Sequence, residues 1–199
     1  MNVRRAIMTS IGEGVLPYGY KRIAGIVYDK GVYYDTGIRL TGADTIHFSF
    51  EVNESCNVLG CFTSSAASTN YSYYATSVYD GKYIRYNGNS YYSYTQLHKR
   101  YDVTISPTGS TGCERNSTWS RKTFTAASNL YIGTTWTGTE YPYLNGNIYG
   151  SIVINLGSGG EINIIPAQTA SDDIGYYILE QNRFLYNLGP GTPIRLDYV

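Results

Sequence analysis

From Thr45 to Val52 the chain alternates polar and apolar residues without a fault. In an extended backbone this puts Ile46, Phe48, Phe50 and Val52 on one side and Thr45, His47, Ser49 and Glu51 on the other. Wound into a helix, the same apolar side chains would scatter around its surface, so the segment can bury one face only as a strand. The pattern returns at Tyr101-Asp102-Val103-Thr104-Ile105 and from Asn147 to Ile154, where Ile148, Ile152 and Ile154 share the inner side. Further short strands are expected at 22–28, 58–62, 71–78, 82–86, 90–94, 130–133, 161–165, 175–179 and 183–186. Asp80-Gly81, Asn87-Gly88 and Asn145-Gly146 supply the positive-φ residues of tight turns, and Gly157-Ser158-Gly159-Gly160 a looser hairpin loop. Helix signals are confined to weak stretches near 96–100 and within 1–14. Many short strands with frequent turns predict an all-β fold, an antiparallel two-sheet sandwich or jelly roll.

The first 16 residues differ. They hold Arg4, Arg5 and Glu13, show no alternation, and close on the turn Leu16-Pro17-Tyr18-Gly19. The chain is therefore read as an N-terminal arm, 1–16, and one β domain, 17–199, with no shift of composition to divide the latter. Such an arm either frays or docks on a neighbouring subunit. Docking would make Arg4, Arg5, Ile7, Met8 and Ile11 its assembly residues. After Arg4-Arg5, the stretch Ala6 to Ser10 is too short and polar for an export-signal core, so folding in a cytosol is expected. An odd count of cysteines, Cys56, Cys61 and Cys113, agrees and reads as structural thiols rather than a disulfide or metal set. A formal net charge of zero lacks the electrostatic footprint of a general nucleic-acid binder. No apolar run approaches the roughly 18–20 residues of a membrane-spanning helix, so no membrane insertion is expected.

Catalytic patterns are thin. Glycoside hydrolysis needs two carboxyls across the scissile bond. The nearest run, Glu51-Val52-Asn53-Glu54, puts Glu51 and Asn53 on one face and turns Glu54 away, as a solvated strand end does. With only His47 and His98, and no Gly-x-Ser-x-Gly elbow, a nucleophilic triad has no signature. Asp172-Asp173, and Asp29 near Asp35, are the candidates for calcium, which takes six to eight oxygens; Asp is equally at home in such turns for backbone reasons. Gly157 to Gly160 lacks the Lys-Ser/Thr and helix of a phosphate loop. No catalytic residue, metal or cofactor is expected.

Tyrosine is the residue in excess, 23 against 5 Phe and 2 Trp. Its ring buries an apolar body and leaves a hydroxyl for water or a partner, which suits surfaces that touch sugars or proteins. Tyr71, Tyr73, Tyr74, Tyr79, Tyr83, Tyr86, Tyr91, Tyr92 and Tyr94 crowd one quarter of the chain among Ser, Asn and Thr. Three uses stay open: contact with a sister subunit, ordinary strand packing, and stacking on a glycan. The surface candidates are Tyr73, Tyr83, Tyr91, Tyr92 and Tyr94.

Several segments, in order, resemble one family. Leu16-Pro17-Tyr18-Gly19-Tyr20 and Tyr33-Tyr34-Asp35-Thr36-Gly37-Ile38 resemble the opening of concanavalin-like (laminin-G-like) jelly-roll domains of tailed-bacteriophage virion proteins. Tyr101-Asp102-Val103, Asn129-Leu130-Tyr131-Ile132-Gly133, Gly146-Asn147-Ile148-Tyr149 and Ile165-Pro166-Ala167 resemble its later strands. Asp173-Ile174-Gly175-Tyr176-Tyr177 and Arg183-Phe184-Leu185-Tyr186-Asn187 resemble its close, so that the likeness runs from about residue 16 to about residue 190. Two departures are Tyr177-Ile178, where Tyr-Asp is usual, and Gly146, where Phe-Gly is frequent. The resemblance implies a jelly roll at the virion surface, a non-enzymatic head or tail decoration or fibre subunit. Its implied partners are other virion proteins, sister copies in a dimer or trimer, and a host-surface glycan. A lectin-like adhesin module is the alternative, and a glycosidase lies well behind.

Overall fold

The computed structural model describes residues 15–54, 56–62, 72–77, 83–86, 89–92, 96–134 and 143–198, with the backbone alone for the strand residues from 62 to 92. The described chain is all-β. Its first half holds β1 Tyr20–Arg22, β2 Gly25–Tyr28, β3 Tyr34–Asp35, β4 Thr45–Val52, β5 Asn57–Phe62, β6 Ser72–Ser77, β7 Tyr83–Tyr86 and β8 Asn89–Tyr92. The second half holds β9 Tyr101–Ser106, β10 Gly109–Thr111, β11 Ser117–Thr118, β12 Tyr131–Ile132, β13 Gly146–Asn155, β14 Glu161–Thr169, β15 Ile174–Ile178, β16 Arg183–Leu185 and β17 Ile194–Leu196. The larger sheet runs β11-β10-β9-β4-β13-β14-β15-β16, with β1 beside β14, β2 beside β13 and β17 beside β2. The smaller sheet runs β3-β12-β5-β6-β7-β8. Every described pairing is antiparallel.

The alternating segments land as their period dictates. Ile46, Phe48, Phe50 and Val52 of β4 are wholly buried, as are Val103 and Ile105 of β9 and Ile148, Ile152 and Ile154 of β13. They share one core cluster with Tyr34, Val58, Leu59, Cys61 and Ile132 from the smaller sheet, so the two inner faces form a sandwich. Removing each large apolar side chain from water contributes about 1.5–3 kcal/mol, which makes this shared cluster the main driving force for the fold.

β13 carries an irregularity on which the larger sheet turns. Its Tyr149 pairs with Ser49 and its Val153 with His47, so β13 advances four residues where β4 advances two. Two inserted residues preserve side-chain parity, and Ile148 and Ile152 both stay inside; one would have turned Ile152 and Ile154 to solvent. Gly150, at φ +61°, takes the left-handed conformation within the insertion, and its N–H donates to Ala24 O at 2.7 Å. At the same place the neighbour changes: residues 146–149 pair with β2, and residues 152–155 with β14. The expected strand at 22–28 is accordingly two strands. β1 lies on β14, β2 lies on β13, and Ile23-Ala24 crosses between them. Pro166, which has no N–H to give to a ladder, stands beside this crossing, and its carbonyl accepts from Ile23 N at 3.1 Å.

The segments that carry the family resemblance meet each other here. Asp35 Oδ1 accepts from Gly37 N (2.8 Å), and the Asn129 amide donates to both Asp35 oxygens (3.0 and 3.2 Å). Thr36 bonds Leu130 O through its backbone and its hydroxyl, and Leu130 N returns to Ile38 O. Arg183 reaches across from β16 to Thr36 O, its Nη2 lying 2.9 Å from where a Cβ on Gly37 would stand. Asn187 accepts from Tyr33 N at 3.0 Å. The sequence order of these segments becomes a ring of hydrogen bonds tying β3 and β12 to the last strands of the larger sheet.

Tyrosine, expected chiefly at surfaces, also builds the core. Tyr28, Tyr34 and Tyr176 are fully buried; the Tyr28 and Tyr176 hydroxyls pair at 2.8 Å, and Tyr34 Oη donates to Ile174 O at 3.3 Å. Tyr34 stands edge-on to both other rings, at 6.1 and 5.1 Å. A buried hydroxyl costs little when it is so bonded. The stretch at 96–100 is a turn rather than a helix, with His98 at φ +57°.

Burial pushes the Tyr28 and Tyr176 phenols far above their usual range, the Cys56 thiol up to about 11, and the Cys61 thiol higher still. Above the ordinary thiol and phenol values the unfolded chain releases protons that the folded chain keeps. Stability should therefore be full below about pH 8.5 and fall as pH rises beyond it, by about 1.4 kcal/mol per pH unit for each such group titrating in the unfolded chain alone. Urea midpoints measured from neutral to strongly alkaline pH will show this fall; a flat profile would contradict the burial of these groups.

Candidate functional site

The outward face of β9, β4 and β13 brings together His47, Ser49, Glu51, Asp102 and Tyr149. His47 Nε2 lies 3.2 Å from Asp102 Oδ1, and its Nδ1 lies 3.0 Å from Thr104 Oγ1. Ser49 Oγ donates to the same Asp102 oxygen at 2.6 Å. A serine, a histidine and an aspartate thus lie together, in an order unlike that of a hydrolase. There the imidazole must touch the serine to take its proton, with the carboxylate behind it. Here the carboxylate stands between them, and its side chain is 68% exposed. Next along the face, Tyr149 Oη donates to Glu51 Oε2 at 2.9 Å, Asn147 Nδ2 donates to Tyr149 Oη at 3.0 Å, and the Arg100 guanidinium covers the Tyr149 ring at 4.4 Å. Burial comes first among the causes that raise the Tyr149 phenol. Asn53 donates to Asn145 and Glu54 pairs with Lys30 at 2.9 Å, so the acidic run at the end of β4 serves loop contacts.

The aspartates weighed for calcium are engaged separately. Asp35 holds the Gly37 and Asn129 contacts already described. Asp29 Oδ1 accepts from Lys30 N at 2.9 Å, and Asp173 Oδ2 accepts from Thr169 Oγ1 and Ser171 Oγ at 3.2 and 3.1 Å. Among the described residues no three His, Cys, Asp or Glu side chains gather as a metal site. Cys56 and Cys61 are buried, Cys113 is partly exposed, and no disulfide joins them.

The arm residues Arg4, Arg5, Ile7, Met8 and Ile11 lie outside the described residues, as does Tyr94. Tyr73 falls in β6 opposite Cys61, Tyr83 in β7 opposite Tyr92 of β8, and Tyr91 opposite Ile84. β8 is the last strand of the smaller sheet among the described residues.

At one end of the larger sheet lies a feature with no local sequence signal. An open cleft of about 450 Å³ is lined by Tyr18 to Lys21, Gln168 to Ala170, Asp172 and Arg195. A second recess of about 270 Å³ shares Asp172 and adds Tyr186 and Asn187. The pairing of β1 with β14 brings Tyr20 opposite Thr169, and β17 delivers Arg195. Gln168, buried, joins the walls: its amide donates to Asp172 Oδ1 and accepts from Arg195 Nη1, both at 3.0 Å. Tyr18 is fully exposed, while Tyr20 is fixed against Tyr177 at 4.6 Å and Phe184 at 5.5 Å.

Comparison of the chain with known protein families, curated proteins and solved structures finds no match.

The order of groups at Ser49 has a direct consequence. A fluorophosphonate probe for activated serines should leave Ser49 unlabelled in the native protein, as read by peptide mass analysis. Stoichiometric labelling that is lost in His47→Ala would contradict an inert role for this face.

Proposed function

We propose that the chain is a non-enzymatic jelly-roll module at the surface of a tailed-phage particle, a decoration or fibre subunit. It works by contact with other virion proteins and with sister copies in a dimer or trimer. The observation that carries this reading is the use made of the family-like segments. Asp35, Thr36, Asn129, Arg183 and Asn187 hold the sandwich together, leaving no reacting group among them. The outward Ser49, Asp102 and His47 are likewise engaged in an arrangement that activates no nucleophile. β8, rich in tyrosine and last in its sheet among the described residues, offers a strand edge for assembly. A tyrosine-rich interface of this kind would be wet and moderately polar.

A lectin-like adhesin is the second reading, and the open cleft with its exposed Tyr18 favours it. Mass analysis of purified particles from the producing culture, with light scattering on the isolated protein, tests the first. The chain should be found at a fixed ratio to the other virion proteins, and the isolated protein should be a dimer or trimer. A monomer absent from particles would overturn the assembly reading. Turnover of a polysaccharide, abolished by Glu51→Gln, would overturn its non-enzymatic part.

A further inference from the structure

We infer that the cleft between β1, the β14–β15 turn and β17 binds a neutral saccharide, held by neighbouring ring hydroxyls and one aromatic face. Charge is the first constraint. Lys21, Arg195 and Asp172 line the cleft, and Asp197 is paired with Arg195 at 3.2 Å. Two cations and two anions leave no net charge. An acidic ligand that reached Lys21 or Arg195 would also face the two carboxylates, and a basic one that reached Asp172 would face the two cations. An uncharged ligand is the one that neither set repels.

The second constraint is the kind of contact left open. Gln168 is buried and spends its amide on the walls, donating to Asp172 Oδ1 and accepting from Arg195 Nη1, so it fixes both side chains. Asp172 Oδ2 has no partner among the described residues. Arg195 is engaged through Nε and Nη1, which leaves it further N–H groups to give. An acceptor and donors thus stand on one preset frame. A sugar hydroxyl gives one hydrogen bond and accepts another, so a vicinal pair meets both needs at once. An apolar ligand would leave these groups unpaired, and it favours a cavity with apolar walls over an open polar cleft. Tyr18, fully exposed in the same lining, supplies a ring for the apolar C–H face of a sugar.

The site deepens the adhesin reading and rests on it for the expectation that a glycan is met. The test is saturation-transfer NMR, titrated to dissociation constants, with trisaccharides of glucose, mannose and galactose and with their uronate counterparts. A neutral trisaccharide should bind, its uronate form should bind no tighter, and added salt should change the neutral affinity by less than about twofold. Asp172→Asn puts a donor where an acceptor stood and should weaken binding at least about tenfold. Asn also tolerates the left-handed backbone of position 172, at φ +67°. Tyr18→Ala should weaken binding about fivefold. Both side chains are exposed, so both variants should melt as the parent does. Tighter binding of the uronates, or no binding of any neutral trisaccharide, would overturn the proposal. Neutral binding that survives both substitutions would overturn the site and leave the adhesin reading standing, with the glycan held elsewhere.

Discussion

The two-residue insertion in β13 is the constraint on which the larger sheet depends. Side chains along a strand alternate faces with a period of two, so only an even insertion lets one strand serve the same core before and after it. Because Gly150 and Ser151 come as a pair, Ile148 below and Ile152 and Ile154 above reach the same apolar cluster. The break also lets β13 exchange β14 for β2, which brings β1 and β17 into the sheet. The cleft at the end of the sheet follows from that exchange, since its walls are β1, the end of β14 and β17.

Where a segment was long and strictly alternating, its strand and its buried face were legible at once, as β4, β9 and the upper part of β13 show. β3, β11 and β17 have two or three residues each, too few for any period, and exist because neighbouring strands present free ladder groups. β14 continues past the apolar run to Thr169 because Pro166 stands where the partner strand changes and no donor is required. The three buried tyrosines were invisible in composition. A hydroxyl finds its place in a core when an acceptor remote in sequence meets it, as Tyr176 meets Tyr28 and the Ile174 carbonyl meets Tyr34.

The candidate site was hidden for the same reason. Asp172 stood out in the sequence as half of an acidic pair, but Gln168, Lys21 and Arg195 carried no signal until strand pairing set them around it. Conversely, the serine, histidine and aspartate of the outward face look suggestive as a set and lose their catalytic sense once Asp102 is seen between the other two. The surfaces that emerge include a polar sheet face and an open cleft with one exposed ring.

The parity of the β13 insertion can be measured by deletion. Removing Gly150 alone should turn Ile152 and Ile154 to solvent and abolish the cooperative thermal transition, together with the strand signal in circular dichroism. Removing Gly150 and Ser151 together should lower the midpoint yet keep both the transition and the strand spectrum. A single deletion that folds as well as the double would contradict the dependence of the sheet on this parity.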